Sequence, residues 1–169
     1  MEGGRNLMYN QNGIYYDEKH TISFGNVVNN AFSQIANTWS TWHLIPSSRP
    51  FVEEPSIVTK FVDIPGRSGP MDFTDFLTGS PQYGQRVGKW SFYIANTGTD
   101  PDALKTTIAN ALHGKRLKVK LQDDPTYYYE GRFTVSNIEQ SNSRSMITIS
   151  YQLDPYKKKI NPAGTGASL

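Results

Sequence analysis

The side chains of this 169-residue chain that could do chemistry are few: three histidines, His20, His43 and His113, and two close carboxylate pairs, Asp72 with Asp75 and Asp123 with Asp124. A nucleophilic triad displays its serine on a sharp strand-to-helix turn, and no Gly-x-Ser-x-Gly segment is present. His43 and His113 fall in strand and helix contexts that account for them without catalysis. Each carboxylate pair reads as turn or capping chemistry. Asp123-Asp124-Pro125 leads into a strand, and Asp72 and Asp75 follow a Gly-Pro turn whose N–H groups their oxygens can satisfy. With no cysteine, disulfides and thiolate metal sites are closed to the chain. Residues 65–70, PGRSGP, lack the Gly-Lys-Ser/Thr ending of a phosphate cradle and do not open a strong helix. No catalytic, metal or cofactor site is expected.

The cations offer a sharper alternative. Arg116, Lys118 and Lys120 alternate along RLKVKL, and Tyr127, Tyr128 and Tyr129 follow. A single-stranded nucleic-acid surface uses that combination, cations for phosphates and rings for bases. A solvated or subunit-facing strand face accounts for the same residues, and 17 basic against 15 acidic residues leave a net charge of only +2. No apolar run approaches the roughly 18 residues of a membrane span. The start, MEGGRNLMYNQNG, has neither the basic nor the apolar region of a signal peptide. A protein made in the cytoplasm, with no membrane insertion, is expected.

Strands must position these groups, since 10 Tyr, 8 Phe and 3 Trp favour β structure while 10 Pro and 14 Gly punctuate it. The length suits one domain. Residues 13–25 read as a hairpin, with IYY and TISF flanking DEKH and Asn12-Gly13 as a turn signal. Residues 26–38 fit neither helical nor strand period and read as a surface loop. Pro46, Pro50 and Pro55 make the next stretch extended and edge-like. SIVTKFVDI has apolar residues on both alternating faces, which predicts a strand buried on much of both sides. Pro65-Gly66 and Ser68-Gly69-Pro70 then form a turn displaying Arg67.

QRVGKWSFYIA turns Trp90, Phe92 and Ile94 inward, with Gly88 at a bulge or close approach. A single helix is predicted near residues 102–113, capped by Asp100, with Pro101 in its first turn and Gly114 at its end. Its stripe of Leu104, Ile108, Ala111 and Leu112 packs on a sheet. RLKVKL, then Tyr127, Tyr129, Phe133 and Val135, then Ile147, Ile149, Tyr151 and Leu153 supply further inward faces, the last two strands pairing as a hairpin. Residues 42–89 are thus dense in strand and turn signals and empty of catalytic groups, which points to assembly.

Read together, WHLIPSSRP, VDIPGRSGPMDFTDFLTG, YGQR, LHGKRLKVKLQDDPTYYYEGRFTV and ITISYQLDPYK resemble the distal tail protein family of long-tailed, siphovirus-type bacteriophages and prophages, in matching order over residues 39–158. The resemblance implies a mainly β fold, a β-sandwich or split-barrel-like domain with one packed α-helix, related to tail-tube proteins. It implies a non-enzymatic homohexameric ring at the distal end of the virion tail, between tail tube and tail-tip hub, with tape measure and then DNA passing through its lumen. The ring domain is expected over residues 1–156. Residues 157–169 are expected to form a tail that is mobile or held by a partner, and the second, galectin-like domain of many family members is expected to be absent. Candidate subunit or partner contacts are Arg49, Arg67, Ser68, Lys157, Lys158 and Lys159, with Arg67 foremost. Met71, Phe73, Phe76 and Leu77 are expected to be buried beneath that turn.

Overall fold

A computed structural model describes residues 8–9, 15–16, 20–76, 78–95, 98–141 and 144–160. Alternating apolar residues build its body. In chain order the strands are β1 (Met8–Tyr9), β2 (Tyr15–Tyr16), β3 (Ile22–Val28), β4 (Ala31–Asn37), β5 (Leu44–Pro46), β6 (Ile57–Val58), β7 (Phe61–Val62), β8 (Met71–Asp72), β9 (Gln82–Tyr83) and β10 (Arg86–Ile94). The helix α1 (Pro101–Leu112) follows, then β11 (Arg116–Leu121), β12 (Tyr127–Val135), β13 (Glu139–Ser141), β14 (Arg144–Leu153) and β15 (Lys158–Lys159). The main sheet runs β4-β3-β11-β12-β14-β10-β5, with β13 added to β14 and β15 to β12, and its pairings are antiparallel. This is the mainly β architecture with one packed helix that the sequence predicts.

The sheet curls because its two edge strands are joined by residues 38–43 alone. Thr38 donates its N–H to the Ile22 carbonyl at 2.9 Å and accepts at its own carbonyl from Leu44 N–H at 2.7 Å, tying β3 to the start of β5. Its hydroxyl accepts from Ile22 N–H at 3.0 Å, so this fully buried polar residue is satisfied. Asn37 braces the same corner, accepting from Trp39 N–H and Ser40 N–H and donating to Ser23 Oγ at 3.0 Å. Inside the curl lie Phe24, Trp90, Phe92, Phe133, Ile147, Ile149 and Leu153. Phe24 meets Phe133 edge to face at 5.1 Å. Gly131 is needed where β12 passes β14, since a Cβ there would stand 2.0 Å from the Gln152 carbonyl oxygen.

The helix forms where its signals predict. Asp100 accepts from Ala103 N–H at 3.0 Å, Pro101 opens the first turn, and Gly114 has a φ of 72° just past the C-cap. Ile108 and Leu112 are buried, with Leu104 and Ala111 partly so, against the inner face of the sheet. No helix among the described residues is long and apolar enough to cross a membrane.

Three expectations are corrected. The IYY and TISF segments do not pair: β2 pairs with β1, while β3 pairs with β4 and β11. The Asn12-Gly13 turn signal lies outside the described residues. Residues 26–38 are not a loop but chiefly the outer half of a β3–β4 hairpin, turned by Asn29 and Asn30 at φ 50° and 63°. Asparagine tolerates the left-handed region, so Asn-Asn supplies the tight turn. A register shift between Phe24 and Gly25 breaks the alternation that would have marked β4. Finally, SIVTKFVDI is extended but not buried, for the reason given next.

Candidate functional site

Residues 56–84 leave the body as a bent two-stranded arm. Ile57 pairs with Tyr83 and Val58 with Gln82 near its root, and Phe61 pairs with Asp72 and Val62 with Met71 farther out. Between these pairs, Phe73 N–H donates to the Lys60 carbonyl at 2.8 Å and Lys60 N–H to Thr74 Oγ1 at 3.1 Å, so one backbone bond and one side-chain bond join the two sides where the ladder is interrupted. At the far end Arg67 N–H donates to the Ile64 carbonyl at 3.1 Å across Pro65-Gly66, with Gly66 at φ 85°. That is the Pro-Gly turn the sequence predicts, of the kind that requires positive φ at its third residue. On the return strand, Thr74 donates both its N–H and its hydroxyl to Asp72, which holds the Asp72 carboxyl below its usual range.

Among the described residues, β6 to β9 pair only with one another, and their side chains find no core. Of thirteen large apolar residues exposed among those described, eight belong to this arm: Ile57, Val58, Phe61, Val62, Ile64, Met71, Phe76 and Tyr83. Phe76 is 75% exposed, its ring edge to face with half-buried Phe73 at 5.3 Å. A shallow notch of about 170 Å³ lies between Lys60, Val62, Phe73 and Phe76. The expected burial of Met71 and Phe76 is therefore corrected, and Leu77 lies outside the described residues. A two-stranded ribbon buries one side chain only against its pair partner, so apolar residues on both faces stay in water.

The structure disperses the other predicted contacts. Arg67 and Ser68 sit exposed in the arm's outer loop. Arg49 is on the body, donating from Nε to Asp123 at 2.7 Å beside His20 Nδ1 at 3.0 Å from the same carboxylate. Arg49 also lines a cleft of about 210 Å³ with Ser47, Lys89 and Trp90. Lys157 donates to Asp124 at 2.8 Å, with its Nζ 4.3 Å from the centre of the Tyr127 ring. Lys158 donates to Glu130 at 3.0 Å, and Lys159 is exposed. Residues 158–160 are thus strapped to β12, with Ile160 N–H donating to the Thr126 carbonyl at 2.8 Å, while residues 161–169 lie outside the described residues.

The alternative nucleic-acid face is partly neutralised. Arg116 donates to Glu130 at 3.1 Å and Asp154 at 2.6 Å, contacts that raise its pKa further. Burial pushes the Glu130 carboxyl up, but hydrogen bonds from Lys158 and Arg116 outweigh it and leave it below the usual range. Lys118 faces Glu130 across the strands, and Lys120 lies over the Phe32 ring at 5.0 Å. The residues considered for catalysis are similarly engaged. Asp123 accepts from Arg49 and His20, Asp124 from Lys157, and His113 closes the helix while its Nδ1 accepts from Val135 N–H at 3.2 Å. No cluster of His, Asp or Glu among the described residues could hold a metal ion.

What sequence reasoning missed was the exposure of the arm. Its signal was present: IV and FV are apolar doublets, which a one-faced strand does not carry, and they were assigned to burial within this chain.

No protein-family model matches the chain, and no curated protein matches it. It is similar to a solved structure described as the crystal structure of SPP1 Dit (gp 19.1) protein, "a paradigm of hub adsorption apparatus in Gram-positive infecting phages". The superposition has a TM-score of 0.56 at 14% identity and covers 82% of this chain and 52% of that one. The likeness is one of fold, and this chain spans about half the length of that structure.

Proposed function

We propose that this chain is a structural protein of a bacteriophage tail, forming a homohexameric ring at the distal end that joins the tail tube to the tail-tip hub. Its role is geometric rather than enzymatic, and its lumen passes the tape measure and then DNA. The observation that carries this reading is the arm: eight large apolar side chains exposed on a ribbon that the chain's own core does not cover. Large apolar side chains clustered in exposure on one short element are what a protein interface displays. The fold shared with the SPP1 hub protein supports the tail assignment.

The arm of one copy and the surface it meets on the next are different patches, which is the heterologous geometry that closes into a ring. Strands β4 and β5 offer edges to such a partner, since β4 pairs only with β3 and β5 only with β10 among the described residues. Arg67 and Ser68, at the end of the arm, fall where the contact is made. The basic strand face takes second place because Arg116 is committed to Glu130 and Asp154.

Light scattering of the purified chain, with electron microscopy of the same sample, tests the proposal. Rings of six copies with a central opening are expected, alone or on adding tube protein. A strict monomer at high concentration, with no rings when tube protein is present, would overturn it.

A further inference from the structure

Both ends of the arm meet the body around one side chain. Arg86 opens β10 two residues after Gly84, and its side chain is only 12% exposed. Its Nε donates to the Pro155 carbonyl at 2.7 Å, and its Nη1 donates to the Glu53 carbonyl at 2.9 Å and to Glu54 Oε2 at 3.3 Å. The guanidinium also lies over the Tyr129 ring, 5.6 Å from its centre. Glu53 and Glu54 belong to the chain entering the arm, Arg86 to the chain leaving it, and Pro155 to the segment that leads into the β15 strap. One planar fork therefore fixes three separate stretches of backbone.

The surroundings leave that junction little freedom. Glu53 N–H donates to Tyr151 Oη at 3.0 Å, and Gly84 N–H donates to the Ser56 carbonyl at 2.7 Å. Tyr83, in the last arm strand, meets Tyr156 edge to face at 6.1 Å. A Cβ on Gly88 would stand 2.3 Å from Tyr151 Oη and 2.6 Å from its ring carbon Cζ, so β10 passes close against the ring that holds Glu53, while Gly84 packs against the Ser56 hydroxyl.

We propose that Arg86 is the positioning residue that sets the direction in which the arm leaves the body, with the C-terminal strap as the third member of the clasp. Arginine suits the task because its donors diverge in a fixed plane and can meet two carbonyls at once. Holding the arm in one pose lowers the entropy lost when it docks. This inference takes its purpose from the assembly reading, while its test measures the arm alone.

The chain has no cysteine, so a label pair is introduced at Ser68→Cys on the arm and Thr134→Cys on the outer face of β12. Pulsed spin-label distances are recorded below the concentration of assembly, with labelled chain diluted in unlabelled chain so that each arm is read undocked. A narrow distribution is expected for the parent, at least twofold broadening for Arg86→Gln, and partial rescue by Arg86→Lys, with the near-ultraviolet signal of the buried Trp90 unchanged. Half-assembly should also require about tenfold more Arg86→Gln protein. An unchanged width in Arg86→Gln overturns the proposal. So does loss of the body fold in both variants, which makes Arg86 a general stability residue. If the widths behave as expected while the parent stays monomeric, the clasp stands and the ring fails. If Arg86→Gln keeps the parent's width and forms rings normally, the ring stands and the clasp fails.

Discussion

Strand β11 reads RLKVKL and the outgoing side of the arm reads IVTKFV, similar in length and β propensity, yet they end in opposite surroundings. In β11, Val119 and Leu121 are buried, and Arg116, Lys118 and Lys120 take the other face. In the arm, Ile57, Val58, Phe61 and Val62 are all exposed. A strict period of two says that one face has a core and the other has water. Apolar doublets say that both faces need cover, and the single chain supplies it to neither. The body thus carries the buried core, whereas the apolar side chains of the arm stay exposed in the single copy.

Deleting the arm is the severest way to break that contrast. Replacing residues 57–83 with a short Gly-Ser linker should leave a cooperative body melting within a few degrees of the parent, because none of the arm's described side chains belongs to the core. Light scattering should then show monomer only. Loss of the cooperative melt would mean that the arm holds the body together after all.

Single side chains should divide the same way. Phe133→Ala removes a fully buried ring between Phe24 and Trp90 and should cost about 3–5 kcal/mol in a denaturant titration. Phe61→Ala and Phe76→Ala should shift the same titration by less than about 0.5 kcal/mol in the isolated chain. The arm variants should instead weaken assembly, by about 1.5–3 kcal/mol for each side chain that becomes fully buried. Equal losses of body stability at Phe61 and Phe133 would erase the distinction.

The body was largely legible because its signals are local. Asp100, Pro101 and Gly114 bound the helix as capping chemistry demands, and Trp90, Phe92, Ile147 and Ile149 alternate towards the core. The β3–β4 hairpin was not, because a register shift interrupts its alternation and Asn29-Asn30 turns it without the glycine that marks most such turns. The arm was half legible: its turn follows from Pro65-Gly66, but burial depends on which surfaces meet, and that information is not in the segment. Arg86 was invisible as a clasp for the same reason, its carbonyl partners being 33 and 69 positions away along the chain.

Backbone substitutions test the contrast more finely. In Gly131→Ala the new methyl collides with the backbone of Gln152, which cannot swing aside, so global stability should fall by about 1–3 kcal/mol. In Gly66→Ala no atom lies within 4 Å, but the φ of 85° strains the turn by about 1–2 kcal/mol. That strain should appear as faster amide exchange at Arg67 and as weaker assembly, with the body's denaturant midpoint unchanged.

Acid gives the smallest effect. Burial pushes the Asp123 and Glu130 carboxyls up, but the hydrogen bonds of Asp123 to Arg49 and His20, and of Glu130 to Lys158 and Arg116, leave both below the usual range. The unfolded chain therefore takes up these protons at higher pH than the folded one. Their contribution is complete above the ordinary carboxylate range and is lost as pH falls through it towards the lower folded values. Melting temperature should accordingly drop on acidification, and Asp123→Asn with Glu130→Gln should flatten that slope while starting lower at neutral pH. Asp72 is also depressed, yet its partner Thr74 is a neighbour on the exposed arm. Asp72→Asn should leave the body's slope as it is and change only the acid sensitivity of assembly; a change in the body's slope would tie the arm to the body's stability more closely than its exposed side chains allow.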